Sequence, residues 1–207
     1  MQSHLLENRL FYRKFNFKAL KPIHIASIIF VLLITSCSHR TTKRQLTGII
    51  NSDIKCPTEL IAIKDSICYS IDKFPYAVKL ILFYDGQDCT LCHLAHLTDY
   101  VYLYDISKET EYRFRIIPVF APKFAETENL ISLVKDCSLI DTVYIDKKNE
   151  FYSLNSNILK SNYSAFLVDK DNRIVLVGDP LASEAMWSLF RKTLDNMLAH
   201  DGLYVPE

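Results

Sequence analysis

Runs of hydrophobic residues divide the chain after residue 56 into strands and helices. The stretches "TELIAI" and "SICYSI" flank the polar pair Lys64-Asp65 and predict a β-hairpin. The continuous apolar stretch "AVKLILFY" then predicts a buried central strand. A helix from Thr90 to about Lys108 is predicted next, because apolar residues recur there at helical spacing, namely Leu91, Leu94, Ala95, Leu97 and Val101.

The second half of the chain predicts further alternation. The stretch "YRFRIIPVF" predicts a strand, and its Pro118 places that strand near a sheet edge or a bulge. "AETENLISLVKDC" predicts a helix, "DTVYID" a short strand and "KNEFYSLN" a helical turn, and "SAFLVD" and "RIVLVG" form a hairpin around the polar "KDN". A last helix is predicted with Asp179 as its N-cap, Pro180 near its first position and an inner face of Met186, Leu189, Phe190, Leu194 and Met197.

The predicted order is therefore hairpin, strand, helix, strand, helix, strand, hairpin, helix. Strands that alternate with helices and end in an antiparallel pair predict an α/β fold with a mixed central sheet flanked by helices. The composition agrees, since 207 residues with 49% hydrophobic and 23% charged residues leave room for one globular domain and a leader.

The first 36 residues have the three parts of an export leader. A basic stretch through Lys21 precedes an apolar core at residues 23–34, and a small-residue end follows. That end, Ile34-Thr35-Ser36-Cys37, resembles the lipobox of bacterial lipoprotein precursors, which implies lipidation of Cys37. An uncleaved signal anchor and a plain secretory signal remain alternatives, although the apolar segment falls short of the ~20 residues that span a bilayer. All three interpretations place the folded part outside the cytoplasm.

The leader also changes the charge of the chain. The whole sequence has 24 basic and 24 acidic residues, and five basic residues and one acidic residue lie in the first 36, which leaves 19 and 23 and a charge of −4. Nucleic acid is therefore not expected as a partner. We predict a signal peptide at residues 1–36, a polar tether at 37–55, a folded domain at 56–200 and a tail at 201–207.

The stretch "DCTLCH" carries the candidate chemistry. Its cysteines, Cys89 and Cys92, follow the predicted buried strand and begin the helix, where backbone N–H groups and the helix dipole stabilise a thiolate. Cys92 lies one turn on, within disulfide reach of Cys89. Outside the cytoplasm disulfides persist, so a structural bridge between Cys56 and Cys68 is also possible, and Cys137 is expected as a buried small hydrophobic residue.

The segment from about Thr58 to Leu198 resembles the thioredoxin-like superfamily, and within it the extracytoplasmic thiol-disulfide oxidoreductases of the TlpA type. Three stretches carry the resemblance: "LILFYDGQDCTLC", "SAFLVDKDNRIVLVG" and the final amphipathic helix. The resemblance implies a thioredoxin-like fold, with Cys89 as nucleophile and Cys92 as resolving thiol. It implies no cofactor, because the cysteine pair is itself the redox centre.

This chain differs from the family pattern around the predicted site. Asp88 replaces the usual aromatic residue before the first cysteine, and Thr90-Leu91 replaces the usual Gly-Pro between the cysteines. Tyr163 stands where the family has a cis-proline opposite the cysteines, and Phe83 stands where it has a buried carboxylate. Asp88 and Tyr163 are expected on the loops that face the substrate.

Other interpretations of the same motif stay open. "CTLCH" also matches a c-type haem attachment signature, with His93 as axial ligand. A metal site could use the two cysteines with His93 or His96, although ordinary polar positions on a helix are the simpler interpretation of both histidines. A third possibility is a binding module whose cysteines form a structural disulfide and whose "YVYLYD" stretch contacts a partner.

The sequence as a whole predicts a membrane-anchored thiol-disulfide oxidoreductase of the cell envelope. Its expected partners are extracytoplasmic protein thiols and disulfides, an unknown redox partner and the membrane that holds the lipid on Cys37. Whether it reduces or oxidises its clients depends on local hydrogen bonds that the sequence does not specify.

Overall fold

The computed structural model describes residues 46–64, 67–71, 74, 76–87, 89–136, 142–159 and 163–206. Its strands are β1 (Leu60–Lys64), β2 (Ile67–Ile71), β3 (Val78–Asp85), β4 (Phe114–Ala121), β5 (Thr142–Ile145), β6 (Ala165–Val168) and β7 (Ile174–Val177). Its helices are α1 (Thr90–His96), α2 (Val101–Glu109), α3 (Thr127–Asp136), α4 (Glu150–Leu154), α5 (Ser156–Leu159) and α6 (Glu184–Ala199). Short 3₁₀ turns, Leu97–Tyr100 and Phe124–Glu126, join α1 to α2 and precede α3.

The described strands form one mixed sheet in the order β2-β1-β5-β4-β3-β6-β7. Strand β3 lies in its interior, parallel to β4 and antiparallel to β6, and β6 and β7 pair antiparallel. At the other edge β1 and β2 form the predicted N-terminal hairpin. This strand order, with helices on both faces, confirms the predicted thioredoxin-like α/β fold.

Strand β3 is central because both of its faces are apolar. Leu80 and Leu82 point into the core on one side of the sheet, and Ile81 and Phe83 point into the core on the other. All four are buried. Burying a side chain of this kind stabilises the fold by roughly 1.5–3 kcal/mol, so a strand with two apolar faces is held in the interior of the sheet.

Each face of the sheet is covered by a different set of helices. The first core joins the sheet to α1, α2, α3 and the last helix, α6, through side chains such as Leu103, Leu130 and Phe190. The second core joins the opposite face to α4 and α5 through Phe151 and Ile158. Because α1 begins directly beyond β3, this layering holds the start of α1 at the end of the central strand.

Pro118 lies in an internal strand, whereas the sequence predicted an edge or a bulge. It pairs with Leu82 of β3 in regular parallel register. On the other side of β4, the described pairs with β5 involve only Val119 and Phe120. The missing N–H is tolerated because the ladder on the β5 side does not extend to Pro118.

The last helix begins later than predicted. Its N-cap is Ser183, whose Oγ accepts a hydrogen bond from the N–H of Met186 at 3.2 Å, and not Asp179. Asp179 instead accepts the N–H of Leu181 at 2.8 Å within a turn. Asp and Ser are equally good caps, and the turn that contains Asp179 shifts the helix start by four residues. On the helix, Leu189 is exposed rather than inner-facing.

The segment before residue 56 is packed where the sequence predicted a polar tether. A helical turn at residues 46–49 leads to Ile49 and Ile54, which are both buried in the second core. Backbone hydrogen bonds join Asn51 to Ile174 and Ile54 to Asn172. The predicted domain start at residue 56 is therefore too late, because isolated apolar residues in a polar stretch gave no periodic signal.

The predicted tail is also packed in part. Gly202 is buried, and the side-chain amide of Asn196 exchanges hydrogen bonds with the backbone of Val205. The predicted leader and Cys37 lie outside the described residues. Among the helices that the structure describes, none combines the length and apolarity needed to cross a bilayer.

Candidate functional site

The candidate site begins at the end of β3. The side chain of Asp85 accepts the N–H of Gln87 at 3.0 Å and shapes the turn that leaves the strand. Gly86 lies in this turn, and a Cβ there would stand 2.8 Å from the carbonyl oxygen of Ala121 and 2.8 Å from the N–H of Lys123. The turn therefore packs directly on the backbone that follows β4, which fixes where the cysteines start.

Cys89 and Cys92 form a disulfide at the start of α1, with their Cα atoms 5.2 Å apart. Cys89 is the N-cap of this helix, and its Sγ accepts the N–H of Cys92 at 3.2 Å. Both cysteines are exposed. The structure thus brings together the two residues predicted as a redox pair, at the helix start. Asp88, which was expected on a loop that faces the substrate, lies outside the described residues.

One side of the disulfide is mainly apolar. A cleft of about 260 Å³ is bordered by Cys89, Thr90, Leu91 and, across from them, Glu126 and Leu130. Leu91 is 47% exposed although it is a large apolar residue. The hydroxyl of Thr90 donates to Glu126 at 3.3 Å and ties α1 to the turn before α3. This cleft offers an apolar surface directly beside the sulfur of Cys89.

The other side is aromatic and polar. The imidazole of His93 stacks on the ring of Tyr84, with centroids 4.7 Å apart, and Tyr84 packs in turn on Phe120 at 4.8 Å. Two neighbouring clefts, of about 360 Å³ and about 430 Å³, share Tyr84, His93 and Ser164 in their walls. His93 is therefore part of the wall that these two clefts share and not a freely projecting residue of a surface helix.

Two tyrosines in this wall stay neutral. Burial, with a smaller contribution from the carboxylate of Asp179, raises the pKa of Tyr84 well above its ordinary value. Burial raises the pKa of Tyr100 still further, and Tyr84 and Asp179 act in the same direction. Tyr84, Tyr100 and Asp179 border the larger cleft together. Neither phenol can supply negative charge at physiological pH.

Tyr163, the residue at the family's proline position, lies just before β6 and is half-buried. It borders the smaller cleft together with Tyr84 and His93. The next residue, Ser164, accepts the N–H of Phe83 through its carbonyl at 2.7 Å, so this loop is fastened to the central strand. Phe83 itself stacks on Phe151 at 5.1 Å within the second core.

The remaining candidate ligands are engaged elsewhere. Cys89 and Cys92 are bonded to each other, and His96, which is exposed, pairs with Asp99 at 3.0 Å. Among the described residues no group of three or more histidine, cysteine, aspartate or glutamate side chains could hold a metal ion. Cys137 and the side chain of Cys68 lie outside the described part of the chain, so the proposed bridge from Cys56 stays a prediction.

Sequence reasoning missed most of the polar wall. Tyr84, Tyr100 and Asp179 come from three separate elements, and nothing in the local sequence signals that they meet. The weak signal for Tyr84 was its place at the end of a buried strand directly before the cysteines. For Asp179 the signal was interpreted as a helix cap.

Neither a protein-family model nor a curated protein matches the chain. It is similar in structure to an uncharacterised thioredoxin-like protein from Porphyromonas gingivalis, with 19% sequence identity and a TM-score of 0.48. That similarity covers 74% of this chain and 97% of the other protein. It is also similar to a putative thiol:disulfide interchange protein DsbE from Chlorobium tepidum, with 14% sequence identity, a TM-score of 0.45, and coverage of 68% of this chain and 96% of the other. It is similar as well to AhpC from Enterococcus faecalis, with 15% sequence identity and a TM-score of 0.48. That similarity covers 77% of this chain and 99% of AhpC.

The chain has a thioredoxin-like fold. The strand order and the cysteine pair at the end of the central strand define that fold, and similarities at this level of identity add no conclusion about activity.

Proposed function

We propose that the protein exchanges thiols and disulfides with extracytoplasmic proteins through Cys89 and Cys92. The observation that carries this proposal is the exposed Cys89–Cys92 disulfide at the start of the helix that follows the central strand. A disulfide that only stabilises the fold does not need to be exposed, whereas cysteines that react with other proteins must be accessible to them.

The hydrogen bond at the helix start distinguishes the two sulfurs. The N–H of Cys92 points at the Sγ of Cys89, and the same donor would stabilise a thiolate there once the disulfide is reduced. Cys89 also borders the apolar cleft, where a client could approach. Cys89 is therefore the proposed nucleophile, and Cys92 the thiol that resolves the mixed disulfide.

The proposed clients are folded or folding proteins that offer a cysteine in an apolar context. Leu91 and Leu130 border the same cleft as Cys89 and would provide an apolar contact for a client segment that reaches the pair. Specificity would then come from shape and apolar contact rather than from net charge.

The first experiment measures whether the pair cycles. The purified domain is equilibrated in glutathione buffers of graded potential, and the state of each cysteine is read by mass spectrometry after alkylation. We expect a reversible two-electron transition at Cys89 and Cys92, abolished by Cys89→Ser or Cys92→Ser. Cys56→Ser is the matched control and should leave the transition unchanged. A wild-type pair that never forms or never reduces would overturn the proposal.

A second candidate, a binding module, is favoured by one observation. Val101 and Tyr102 are 58% and 64% exposed, and Tyr102 lies 5.8 Å from the ring of Trp187, which makes an aromatic patch away from the sulfurs. Trapping separates the two candidates. Cys92→Ser should accumulate mixed disulfides between Cys89 and clients if the protein exchanges disulfides. Capture of a partner that depends on Tyr102 and not on Cys89 would support the binding module instead.

The location is proposed from the leader. Its basic, apolar and small-residue parts, followed by Cys37, support export and lipid attachment, with the domain held on the extracytoplasmic face of a membrane. Labelling cells with a radioactive fatty acid should mark the wild-type protein and not Cys37→Ala. Equal labelling of both would contradict the lipid anchor and leave the redox proposal untouched.

A further inference from the structure

The cleft beside Cys89 combines apolar side chains with one carboxylate. Leu91 and Leu130 are its large apolar residues, the first exposed and the second buried. Glu126, which is exposed, borders the cleft as well, and no lysine or arginine is found among the described residues that do so. The cleft therefore offers an apolar surface to the stem of a bound side chain and a negative charge to its end.

The carboxylate of Glu126 is oriented by the helix that carries the cysteines. Thr90, which lies between the two cysteines in sequence and is buried, donates its hydroxyl to Oε2 of Glu126 at 3.3 Å. A carboxylate has about four lone-pair sites, so most of its acceptor capacity is left for a ligand. Asn129 borders the same cleft and adds a side-chain carbonyl as a further acceptor.

Glu126 differs in its partner from the next acidic residue along the chain. Glu128 pairs with Lys147 at 3.1 Å, so its charge is matched within the protein. Glu126 accepts from the neutral hydroxyl of Thr90 instead, and the described residues of the cleft supply no cation to match its charge. Long basic side chains suit such a place, because they pack their methylene stems on apolar surface and keep the charged end in water.

A client bonded to Cys89 brings its neighbouring residues to this cleft. Consecutive Cα atoms are about 3.8 Å apart, so the residue on either side of the client cysteine lies within side-chain reach of the residues around Cys89. The cleft has a volume of about 260 Å³. Pockets for drug-sized ligands measure roughly 300–1,000 Å³, so this smaller cleft suits a single side chain.

We propose that this cleft binds an arginine side chain that flanks the client cysteine, and that Glu126 is the residue that selects it. The inference rests on the proposed function and names its clients as proteins with arginine beside the reactive cysteine. The arginine stem packs on Leu91 and Leu130, and the guanidinium donates to the carboxylate of Glu126. Arginine is favoured over lysine because its planar guanidinium has five donors, which can meet Glu126 and Asn129 together. The preference concerns one side chain, and the net charge of the client has no part in it.

The test compares peptides that differ only at the residues on both sides of one cysteine. These residues are arginine, its uncharged isostere citrulline, lysine, glutamate or glycine, and the cysteine sulfur is bonded to thionitrobenzoate. The Cys89 thiolate of the reduced full-length protein bonds to the peptide sulfur, and coloured thionitrobenzoate leaves with the electron pair of the broken S–S bond. Cys92 then closes the disulfide with Cys89 and releases the peptide thiol. Each rate is divided by that of the same peptide with mercaptoethanol, a neutral thiol, which removes the intrinsic effect of the flanking charge.

The wild type should react about threefold faster with the arginine peptide than with the citrulline peptide, which is the range of an exposed ion pair. Lysine should lie between these two, and glutamate should react more slowly than citrulline. Added salt should reduce the ratio of arginine to citrulline, because the pair is exposed. Glu126→Gln keeps an acceptor for Thr90 and removes the charge, so that ratio should fall to one while the cysteine pair still cycles. The matched control is Glu128→Gln, whose side chain does not border the cleft and which should keep the threefold ratio.

Two further variants separate the charge from the apolar contact. Glu126→Lys should reverse the order, so that the glutamate peptide reacts faster than the arginine peptide. Leu91→Ser should reduce the advantage of citrulline over glycine and keep the ratio of arginine to citrulline. The inference would be overturned by a ratio of one in the wild type, by an unchanged ratio in Glu126→Gln, or by lysine reacting faster than arginine. A wild type that releases no thionitrobenzoate from any peptide would instead overturn the proposed function.

Discussion

The two ends of β3 hold ionisable side chains in opposite ways. Near its start the strand carries Lys79, fully buried, directly across from buried Arg115 of β4. Near its end it carries Tyr84, which remains neutral and supports a histidine beside two exposed sulfurs. Charge is buried at the first end, whereas the second end leads to the exposed disulfide. Burial of charge alone therefore does not identify the reactive end of this sheet.

The enclosed end is satisfied by local partners. The ammonium of Lys79 donates to the carbonyl of Tyr76 at 3.2 Å, and the guanidinium of Arg115 lies 5.1 Å from the ring of Tyr76 and 4.7 Å from that of Tyr112. Buried Asp169 adds the opposing negative charge. Such an arrangement holds two buried cations in place, which fits a structural role.

The largest expected effect comes from removing the carboxylate at the enclosed end. Asp169→Ala should lower the free energy of unfolding by about 3 kcal/mol, because two backbone N–H groups, of Asp171 and Arg173, lose their acceptor and Lys79 loses its counter-charge. Asp179→Ala at the reactive end should cost only about 1 kcal/mol, since it caps an exposed turn. Urea unfolding of both variants tests this. Equal losses would remove the contrast between the two ends.

Gly86→Ala tests whether the turn after β3 sets the position of the cysteine pair. A methyl group there meets the backbone of the segment after β4 at 2.8 Å, and backbone cannot move aside as a flexible side chain can. We expect a loss of about 2 kcal/mol in unfolding free energy and a shifted midpoint in the redox titration of the cysteine pair. The matched control is Gly48→Ala, where a Cβ meets nothing within 4 Å. A Gly86→Ala protein with unchanged stability and midpoint would show that the turn does not set the position of the cysteines.

The last expected effect is a pH dependence of stability. Burial lowers the pKa of Lys79 to about 8, against the partial compensation of Asp169 and Asp171. Between about pH 8 and its ordinary value of 10.5 the folded protein has released this proton while the unfolded chain still holds it. The free energy of unfolding should therefore rise with pH in that window, by at most about 3 kcal/mol.

Tyr84 and Tyr100 set the upper end of the pH range in which the free energy of unfolding rises. The pKa of Tyr84 and of Tyr100 is raised in the folded state, so above pH 10 the unfolded chain loses protons first and stability falls again. Unfolding curves collected from pH 7 to pH 11 should show a maximum near pH 10. Lys79→Met should remove the rise and keep the fall. A rise that persists in Lys79→Met would assign it to other groups.

Much of the fold could be predicted from local pattern. The apolar run of β3, the hairpins at both edges and the helix after the cysteines each have a strong periodic signal, because burial of one or two faces dictates their sequence. The cysteine pair was also visible, since two cysteines one helical turn apart after a buried strand predict a disulfide at the start of a helix, although the same motif matched haem attachment and a metal site as well. These features depend on neighbours within a few residues.

The rest depends on contacts between distant segments. Ile49 and Ile54 pack only because the β6–β7 hairpin offers them an apolar surface more than a hundred residues away. His93 was expected to be an ordinary polar residue of a helix, and only the stack on Tyr84 changes that interpretation. Asp179 was predicted as the N-cap of the last helix, but Ser183 occupies that position. The carboxylate of Asp179 instead accepts a hydrogen bond from Leu181 within the preceding turn.

The N-cap of α1, Cys89, is also the residue proposed to react, and this links two properties that are separate in most helices. Each change in the bonding of the Cys89 sulfur, from disulfide to thiolate to a bond with a client, also changes the acceptor that the N–H of Cys92 meets. The chemical shift and the hydrogen-exchange rate of that single amide therefore record the chemical state of the sulfur. Nuclear magnetic resonance of the Cys92 amide would follow each turnover without a label on the sulfur itself.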